Sequence, residues 1–511
     1  MRGDALQRRV ILGALAQLTT SLPGKIIGVV LTLLAARILT PHLYGEYGLA
    51  ITIYGVSDLL TNPGAFTYFM RTPKTLDETL DSFWVIGLVR GAVLGALFWW
   101  LSPTLASLFD GSELLVLLLQ MLSSIFLITA FKNPYVVKIY HDLDYTKIAL
   151  LESLGGMLGN ACGIFLLWAT RSPAALILGS LIGTGVGVVL SWSFARKRPA
   201  WRFVMSDELR EVWRFIRFLV INNIMIYLLL TLDDVFIGKM AGIAMLGFYS
   251  LSYKVANDSV LYLVTTLRKV LLPAFVKVFE EGNMAYVRAV TYKSVGLLSI
   301  VSWALTGLVA ASSYEIMFYV APDPKWRGAE LVLTALMPFV FFRAVNGVYG
   351  SLLLAVGKPD ALSRVSGLQL LGFLPLMWLG YELGMMGQTE MGTPLGGVLG
   401  VTLAIACLNL LSNLYLILIA RGLFRVSLGR VMMLTWWGGM LVGFACAAAW
   451  ATKFWLSWPL WVEGLLGAMV YMMVYLGAWQ VLGHHIEVRY KVERPWTLLR
   501  QLRERKSFQE T

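Results

Sequence analysis

Fourteen times between residues 12 and 482 the chain runs for about twenty residues with few charges, then breaks at a short polar joint. A hydrocarbon layer about 30 Å thick needs roughly 20 apolar residues per α-helix. Inside that layer a helix satisfies its own backbone N–H and C=O groups, which water cannot reach. The runs are 12–36, 44–69, 82–102, 113–132, 147–170, 173–195, 212–236, 244–271, 290–312, 329–356, 362–383, 395–420, 431–452 and 459–482. Composition points the same way: 58% of the 511 residues are hydrophobic, 14% are charged and the mean hydropathy is +0.71, far outside the range of soluble domains. The expected fold is all-α, a polytopic membrane protein of about 14 transmembrane helices. The short joints from Arg171 to Pro173 and Trp455 to Pro459 would also suit a re-entrant hairpin.

Charge distribution tests that layout independently, because Lys and Arg collect in cytoplasmic loops. Alternate joints hold thirty-one basic residues, including Arg8, Arg9, Lys138, Lys147, Arg196 to Arg202, Arg210, Arg268, Lys358 and Arg421. The opposite joints hold six, Arg37, Arg171, Lys239, Lys325, Arg327 and Lys453. That asymmetry predicts both termini in the cytoplasm. The net charge of +12 is scattered over short joints, so it suits anionic lipid and not nucleic acid. Arg8 and Arg9 before an apolar run resemble a signal peptide, but the run continues to Ala36 without a clear cleavage site, so the expectation is an uncleaved first span. Trp99, Trp100, Trp436, Trp437, Trp455, Trp458 and Trp461 fall near predicted span ends, as interfacial anchors do. The tail beyond residue 483 reads either as a basic amphipathic segment or as a solvated one. Cys162, Cys407 and Cys446 show no metal or redox spacing, no phosphate-binding loop occurs, and no cofactor is expected.

A repeat organises the spans. Arg37, Gly45, Tyr47 and Leu49 recur as Lys239, Gly247, Tyr249 and Leu251 at a constant offset of 202. Six predicted helices separate the copies, an even number, so the blocks share an orientation. The expected organisation is an N-terminal lobe (1–198), a C-terminal lobe (199–425) facing it across a cavity, two additional helices (426–482) and a basic tail (483–511).

Four cations lie deep within the runs: Lys25, Arg90, Lys254 and Arg343. Each costs roughly 2.5–3.5 kcal/mol at a lipid-facing helix centre by insertion scales, which points to a polar interior. Lys25 follows Pro23-Gly24 and either lines a path or pairs with Asp58 of the next helix. Lys254 and Asp258 are four apart, an intrahelical ion pair or a lysine held ready by a displaceable carboxylate; Arg268 continues that stripe. Arg343 and Asn346, three apart, put a cation beside an amide. Arg90 lies about 12 Å inside its helix, within snorkelling reach of the interface. Asn222 and Asn223 meet either sugars or a neighbouring helix. Asp233 and Asp234 are adjacent and point about 100° apart, which rules out a paired-carboxylate dyad. One of them, Asp234 in particular, is a candidate outer latch with Arg37 or Lys239.

The segment from Ala36 to Ala50 (ARILTPHLYGEYGLA) resembles the opening signature of bacterial polysaccharide flippases. Asp234 to Lys239 with Leu246 to Leu251 is similar to the signature of their second lobe, and Leu272 to Phe275, Lys325-Trp326 and Leu354 to Pro359 resemble later landmarks in order. The chain resembles the polysaccharide-transporter branch of the multidrug, oligosaccharidyl-lipid and polysaccharide exporter superfamily over about residues 10–430. The resemblance implies two six-helix bundles alternating between inward-open and outward-open states. It implies a location in the bacterial inner membrane and a cargo of undecaprenyl-diphosphate-linked oligosaccharide (exopolysaccharide, O-antigen or capsule unit), with a polysaccharide polymerase and other glycan-assembly proteins as possible partners. Helix one of this family often carries a functional basic residue, and Lys25 is the matching position. Phosphate needs cations and sugars need amides or hydroxyls, so the buried charges suit that cargo. A multidrug or toxin extruder is the alternative; cationic drugs would favour a net acidic cavity. An intramembrane polymerase or ligase would need a larger outer loop, and a non-transporting scaffold stays open. Asp58, Asp258 and Glu152 are the candidates for titration during a cycle.

Overall fold

The computed structural model describes residues 22–61, 69, 77–142, 144–261, 271, 275–276, 278–280, 282, 284–386, 394–455 and 459–490. The described residues form helices α1 (22–38), α2 (Pro41–Thr61), α3 (Asp77–Ser107), α4 (Glu113–Ala130), α5 (Val137–His141), α6 (Tyr145–Thr170), α7 (Ala174–Phe194) and α8 (Asp207–Met240). They continue with α9 (Ile243–Ala256), which runs into a π-turn (Asn257–Leu261), then α10 (Met284–Ala311), α11 (Ser313–Val320), α12 (Ala329–Ala355), α13 (Pro359–Met386), α14 (Leu395–Phe424), α15 (Leu428–Trp455) and α16 (Leu460–Tyr490). Among the described residues there is no strand, and nine helices are long and apolar enough to cross a membrane. The all-α membrane architecture is therefore as expected. The joint at Arg171 is no re-entrant loop: α6 ends on Arg171 in the left-handed conformation (φ 51°) and α7 starts directly after Pro173.

The chain divides into two compact units, one ending at Gly247 and the other beginning at Phe248. The expected lobe boundary at 198/199 follows the sequence repeat, whereas this division follows packing. Helix α8 groups with the first unit because it is tied to α2: Tyr227 donates to the Thr52 carbonyl at 2.8 Å and Thr52 donates to Asp234 at 3.1 Å. Gly55 leaves the space that the Tyr227 hydroxyl occupies.

Equivalent positions of the 202-residue offset meet in the first unit. A β-carbon on Gly45 would collide with the carbonyl of Ile243, and one on Gly247 would collide with the carbonyl of Pro41. Pro41 and Ile243 differ by the same 202 positions as Gly45 and Gly247, so the contact is reciprocal, each helix start meeting the other through equivalent residues. Two further glycine contacts reinforce the parallel. In the first unit Gly155 and Gly159 of α6 meet Gly183 and Gly179 of α7, and in the second Gly380 and Gly384 of α13 meet Gly400 and Gly396 of α14. With lipid as solvent, close approach of backbones replaces the hydrophobic effect as the source of helix association.

Within the second unit α15 and α16 are packed on α10. Tyr471 and Tyr475, both fully buried, donate to the Trp303 and Ile300 carbonyls at 3.1 and 3.0 Å, and Trp303 donates to the Thr435 carbonyl at 2.7 Å. Gly307 makes room for the Tyr471 hydroxyl.

A polar layer closes one end of the first unit, where the joints carry many basic residues. Buried Asp81 accepts from Tyr135 at 2.8 Å and from the Ala200 backbone at 3.1 Å, while Asn133 donates to the Lys197 carbonyl at 3.0 Å. Burial, and then the bond to Asp81, pushes the Tyr135 phenol above its ordinary range. Asp77 holds both Lys138 (2.7 Å) and Lys197 (2.8 Å), and the bond to Asp77 raises the Lys197 ammonium above its usual value.

The glycine crossing gives a direct test. Gly45→Ala should lower stability by about 1–3 kcal/mol, the cost of overpacking. Gly87→Ala on α3, where a β-carbon meets open space, should be neutral or stabilising by up to about 1 kcal/mol. Thermal unfolding of the two purified variants in detergent compares them.

Candidate functional site

The second unit builds its polar site on α9 and α12. Tyr249 and Tyr253, four apart on α9, present rings 5.9 Å apart, and Tyr253 continues onto Phe339 of α12 at 6.0 Å. Arg343, one turn beyond Phe339, donates from Nη1 to the Tyr253 hydroxyl at 2.6 Å and lies 5.5 Å from the Phe339 ring centre. A guanidinium fixed against an aromatic face and a phenol retains further donors directed elsewhere. Ser252, fully buried, donates to the Ala329 carbonyl at 2.8 Å and fixes α9 against the start of α12. Pro338 breaks the hydrogen-bond ladder of α12 just before the arginine.

Lys254 follows Tyr253 directly and forms the expected pair with Asp258 at 3.4 Å, with side chains 46% and 39% exposed. An accessible pair of this kind is worth about 0.2–1 kcal/mol, so an incoming anion displaces the carboxylate cheaply. Asp258 lies in the π-turn, where it also accepts from Asn257 at 3.3 Å. Such turns interrupt the regular ladder and recur at functional positions.

Asn346 takes a different role from its neighbour Arg343. Its amide donates to the Asn409 carbonyl at 3.1 Å and accepts from Asn413 at 2.9 Å, both on α14. The spacing of three residues placed cation and amide on one side of the helix, but the structure spends the amide on a clasp between α12 and α14. Asn409 and Asn413 were not singled out from the sequence; two asparagines four apart in an apolar run were the available signal.

The first unit holds the remaining candidates. Gly24 and Gly28 of α1 approach Met157 and Asn160 of α6, which leaves Lys25 on an exposed face. Arg90 is half-buried on α3, beside Gly91, which abuts α4. Asp234 is bonded to Thr52, and Lys239 donates to the Leu108 carbonyl at 2.6 Å with Asp110 at 4.0 Å. Asp234 and Lys239 thus make these contacts with α2 and with the end of α3. Arg37 is exposed and Asp233 buried. Glu152 accepts from Tyr140 at 3.1 Å. The side chains of Asp58, Asn222 and Asn223, and all of Arg268, lie outside the described residues.

Sequence reasoning overlooked Glu46. It is completely buried, accepts a short hydrogen bond from Ser112, and thereby sits at the start of α4, which Ser112 caps. An anion is favoured at a helix start. A glutamate inside an apolar run was the signal, hidden because it stood at a variable position of the Tyr44-Gly45-x-Tyr47 pattern.

Residues 34–323, more than half the chain, match the family model described as polysaccharide biosynthesis protein. The chain belongs to that family. Its relatives include the lipopolysaccharide biosynthesis protein WzxC of Escherichia coli (strain K12), 24% identical over 76% of this chain and 76% of that protein. An uncharacterized membrane protein in the cps region of Klebsiella pneumoniae is 22% identical over 70% of this chain and 74% of its own length. Among solved structures, the fold is similar to the lipid II flippase MurJ in an inward closed conformation, with a TM-score of 0.68 at 13% identity, covering 92% of this chain and 99% of that one. It is also similar to an inward-facing multidrug resistance MATE family transporter, with a TM-score of 0.60 at 13% identity, covering 84% and 98%. This member of the polysaccharide biosynthesis family is thus a multi-pass membrane protein by its apolar helices, with a fold similar to that of the flippase and the transporter just named.

The clasp and the cation site separate experimentally. Asn413→Ala should lower stability by about 1 kcal/mol and leave transport per folded molecule unchanged. Unfolding and vesicle transport of the same preparation test it.

Proposed function

We propose that this protein moves an undecaprenyl-diphosphate-linked oligosaccharide from the cytoplasmic to the outer leaflet by alternating access, acting as a carrier and not as an enzyme. The reading includes fourteen spans with both termini in the cytoplasm, as the distribution of basic joints suggests. It also keeps two repeated lobes, in line with the reciprocal contact at Gly45 and Gly247.

The observation that carries the reading is Arg343. A guanidinium half-buried among apolar helices, set by Tyr253 and Phe339 and followed along α9 by Lys254 with its displaceable Asp258, suits a diphosphate. Two cations of different hydration and geometry serve such a group well: Arg343 offers a planar fork and Lys254 a mobile point charge. A cationic drug would meet repulsion at the same place, which disfavours a multidrug role. Lys25 and Arg90 are further cations of the path, and a polysaccharide polymerase is a candidate partner outside the bilayer core.

Reconstitution tests this reading. Vesicles with a short lipid-linked oligosaccharide report its appearance in the far leaflet by enzymatic or lectin access. Arg343→Ala should reduce the rate by about 10–100-fold, the worth of a charge-assisted hydrogen bond of 1.5–3 kcal/mol. Arg343→Lys should recover part of the loss. Wild-type rates in stably folded Arg343→Ala and Lys254→Ala proteins would remove the cationic path.

A further inference from the structure

The polar layer at the end of the first unit encloses a cavity of about 770 Å³ between α5, the start of α6 and the end of α7. Lys138, Lys147, Arg196 and Lys197 line it, against Asp142 and Asp144. The two central ammonium groups are pre-positioned. Lys138 and Lys197 share the single carboxylate of Asp77 and stand over the Tyr135 ring at 5.0 and 5.3 Å from its centre. Asp77 between the two ammonium groups and buried Asp81 behind Tyr135 balance their charge, so what the wall offers an anion is the remaining N–H donors of Lys138 and Lys197. The Tyr135 platform is itself fixed through its hydroxyl to buried Asp81. Arg196, 87% exposed and 3.9 Å from Asp142, is free to reorient toward an anion. Lys147 is held by Asp144, the cap of α6, at 2.9 Å.

An apolar track leads to the same place. Phe194 and Ile139 belong to the cavity wall. Leu178, Ile182 and Val189 of α7 are exposed large apolar side chains, spaced by four and seven residues on one helix face, which points them at hydrocarbon and ends beside Arg196 and Lys197. Beyond the cavity the extended segment exposes Trp201, Phe203 and Met205 at alternate positions around Arg202. Trp201 packs on Trp84, and Trp84 on Trp192, with ring centres 5.1 and 6.1 Å apart. Indoles beside arginines mark the headgroup level of a bilayer.

We propose that this cavity seats the phosphate-bearing headgroup of an anionic phospholipid, with the acyl chains along the exposed face of α7. The leaflet, cytoplasmic, rests on the orientation proposed above; the ligand class does not. None of its residues belongs to the α9 and α12 cation site. A purely structural charge cluster would hold the connector together without retaining lipid.

Native mass spectrometry of the delipidated full-length protein in a neutral detergent separates these possibilities, with dioctanoyl-phosphatidylglycerol, dioctanoyl-phosphatidylcholine and inorganic phosphate as probes. Phosphatidylglycerol should bind at least about tenfold more tightly than phosphatidylcholine, a margin expected of charge-assisted hydrogen bonds. The double variant Lys138→Gln/Lys197→Gln should lose that margin, and Arg421→Gln, a basic residue elsewhere, should keep it. Should the double variant fail to fold, Arg196→Gln is to reduce the margin several-fold. Equal binding of the two lipids, or retention of the margin in the cavity variants, overturns the proposal. Inorganic phosphate displacing phosphatidylglycerol at matching concentration overturns the lipid source and assigns the cavity to a soluble phosphate compound. Because binding is read without transport, failure here leaves the flippase reading standing, and loss of flipping in the Arg343 variants leaves this one standing.

Discussion

Inside a bilayer every polar group must find its partner within the protein, because hydrocarbon offers none. Much of this fold is organised by that requirement. The hydroxyls of Tyr227, Tyr471 and Tyr475 each reach a backbone carbonyl of a neighbouring helix, and Asn346 spends both ends of its amide on α14. Polar side chains do the fastening, and glycines allow the backbones to come close enough to be fastened. The two kinds of residue occur together: Gly55 faces Tyr227 and Gly307 faces Tyr471.

Against that background the cations of the second unit stand apart. Asn346 is held by groups on α14, whereas Arg343 has a phenol and an aromatic face, and Lys254 a carboxylate in an accessible pair. Neither arrangement exhausts the donors available, five on a guanidinium and three on an ammonium. Residues with donors to spare in an apolar setting are suited to bind cargo, and residues with none to spare are suited to hold helices. Under the proposed function α12 would carry both roles within one turn.

The apolar runs were legible because burial in lipid is written one residue at a time, and the described helices follow them. The Lys254–Asp258 pair was legible because it is local: four residues on a helix bring side chains together whatever the tertiary fold. Partners distant in the chain were not. One of Asp233 and Asp234 was expected to face Arg37 or Lys239; nothing in the sequence hinted that Asp234 accepts from Thr52, 182 residues away, or that Lys239 donates to the Leu108 carbonyl. Tyr253 drew no attention beside Lys254, since an aromatic residue in a membrane run has many uses and only the arrival of Arg343 selects one. Glu46 escaped because a carboxylate at a helix start is explained by α4, which lies far along the sequence.

The crossing of α2 and α9 has a meaning beyond packing. Gly45 meets the carbonyl of residue 243 and Gly247 meets that of residue 41, so exchanging the two partners returns the same contact. Self-complementary contacts of this kind are what two identical chains make around a twofold axis. The crossing therefore has, within one chain, the local symmetry of such an interface. A side chain placed on either glycine would strike the backbone of the other helix, so the close approach depends on both positions at once.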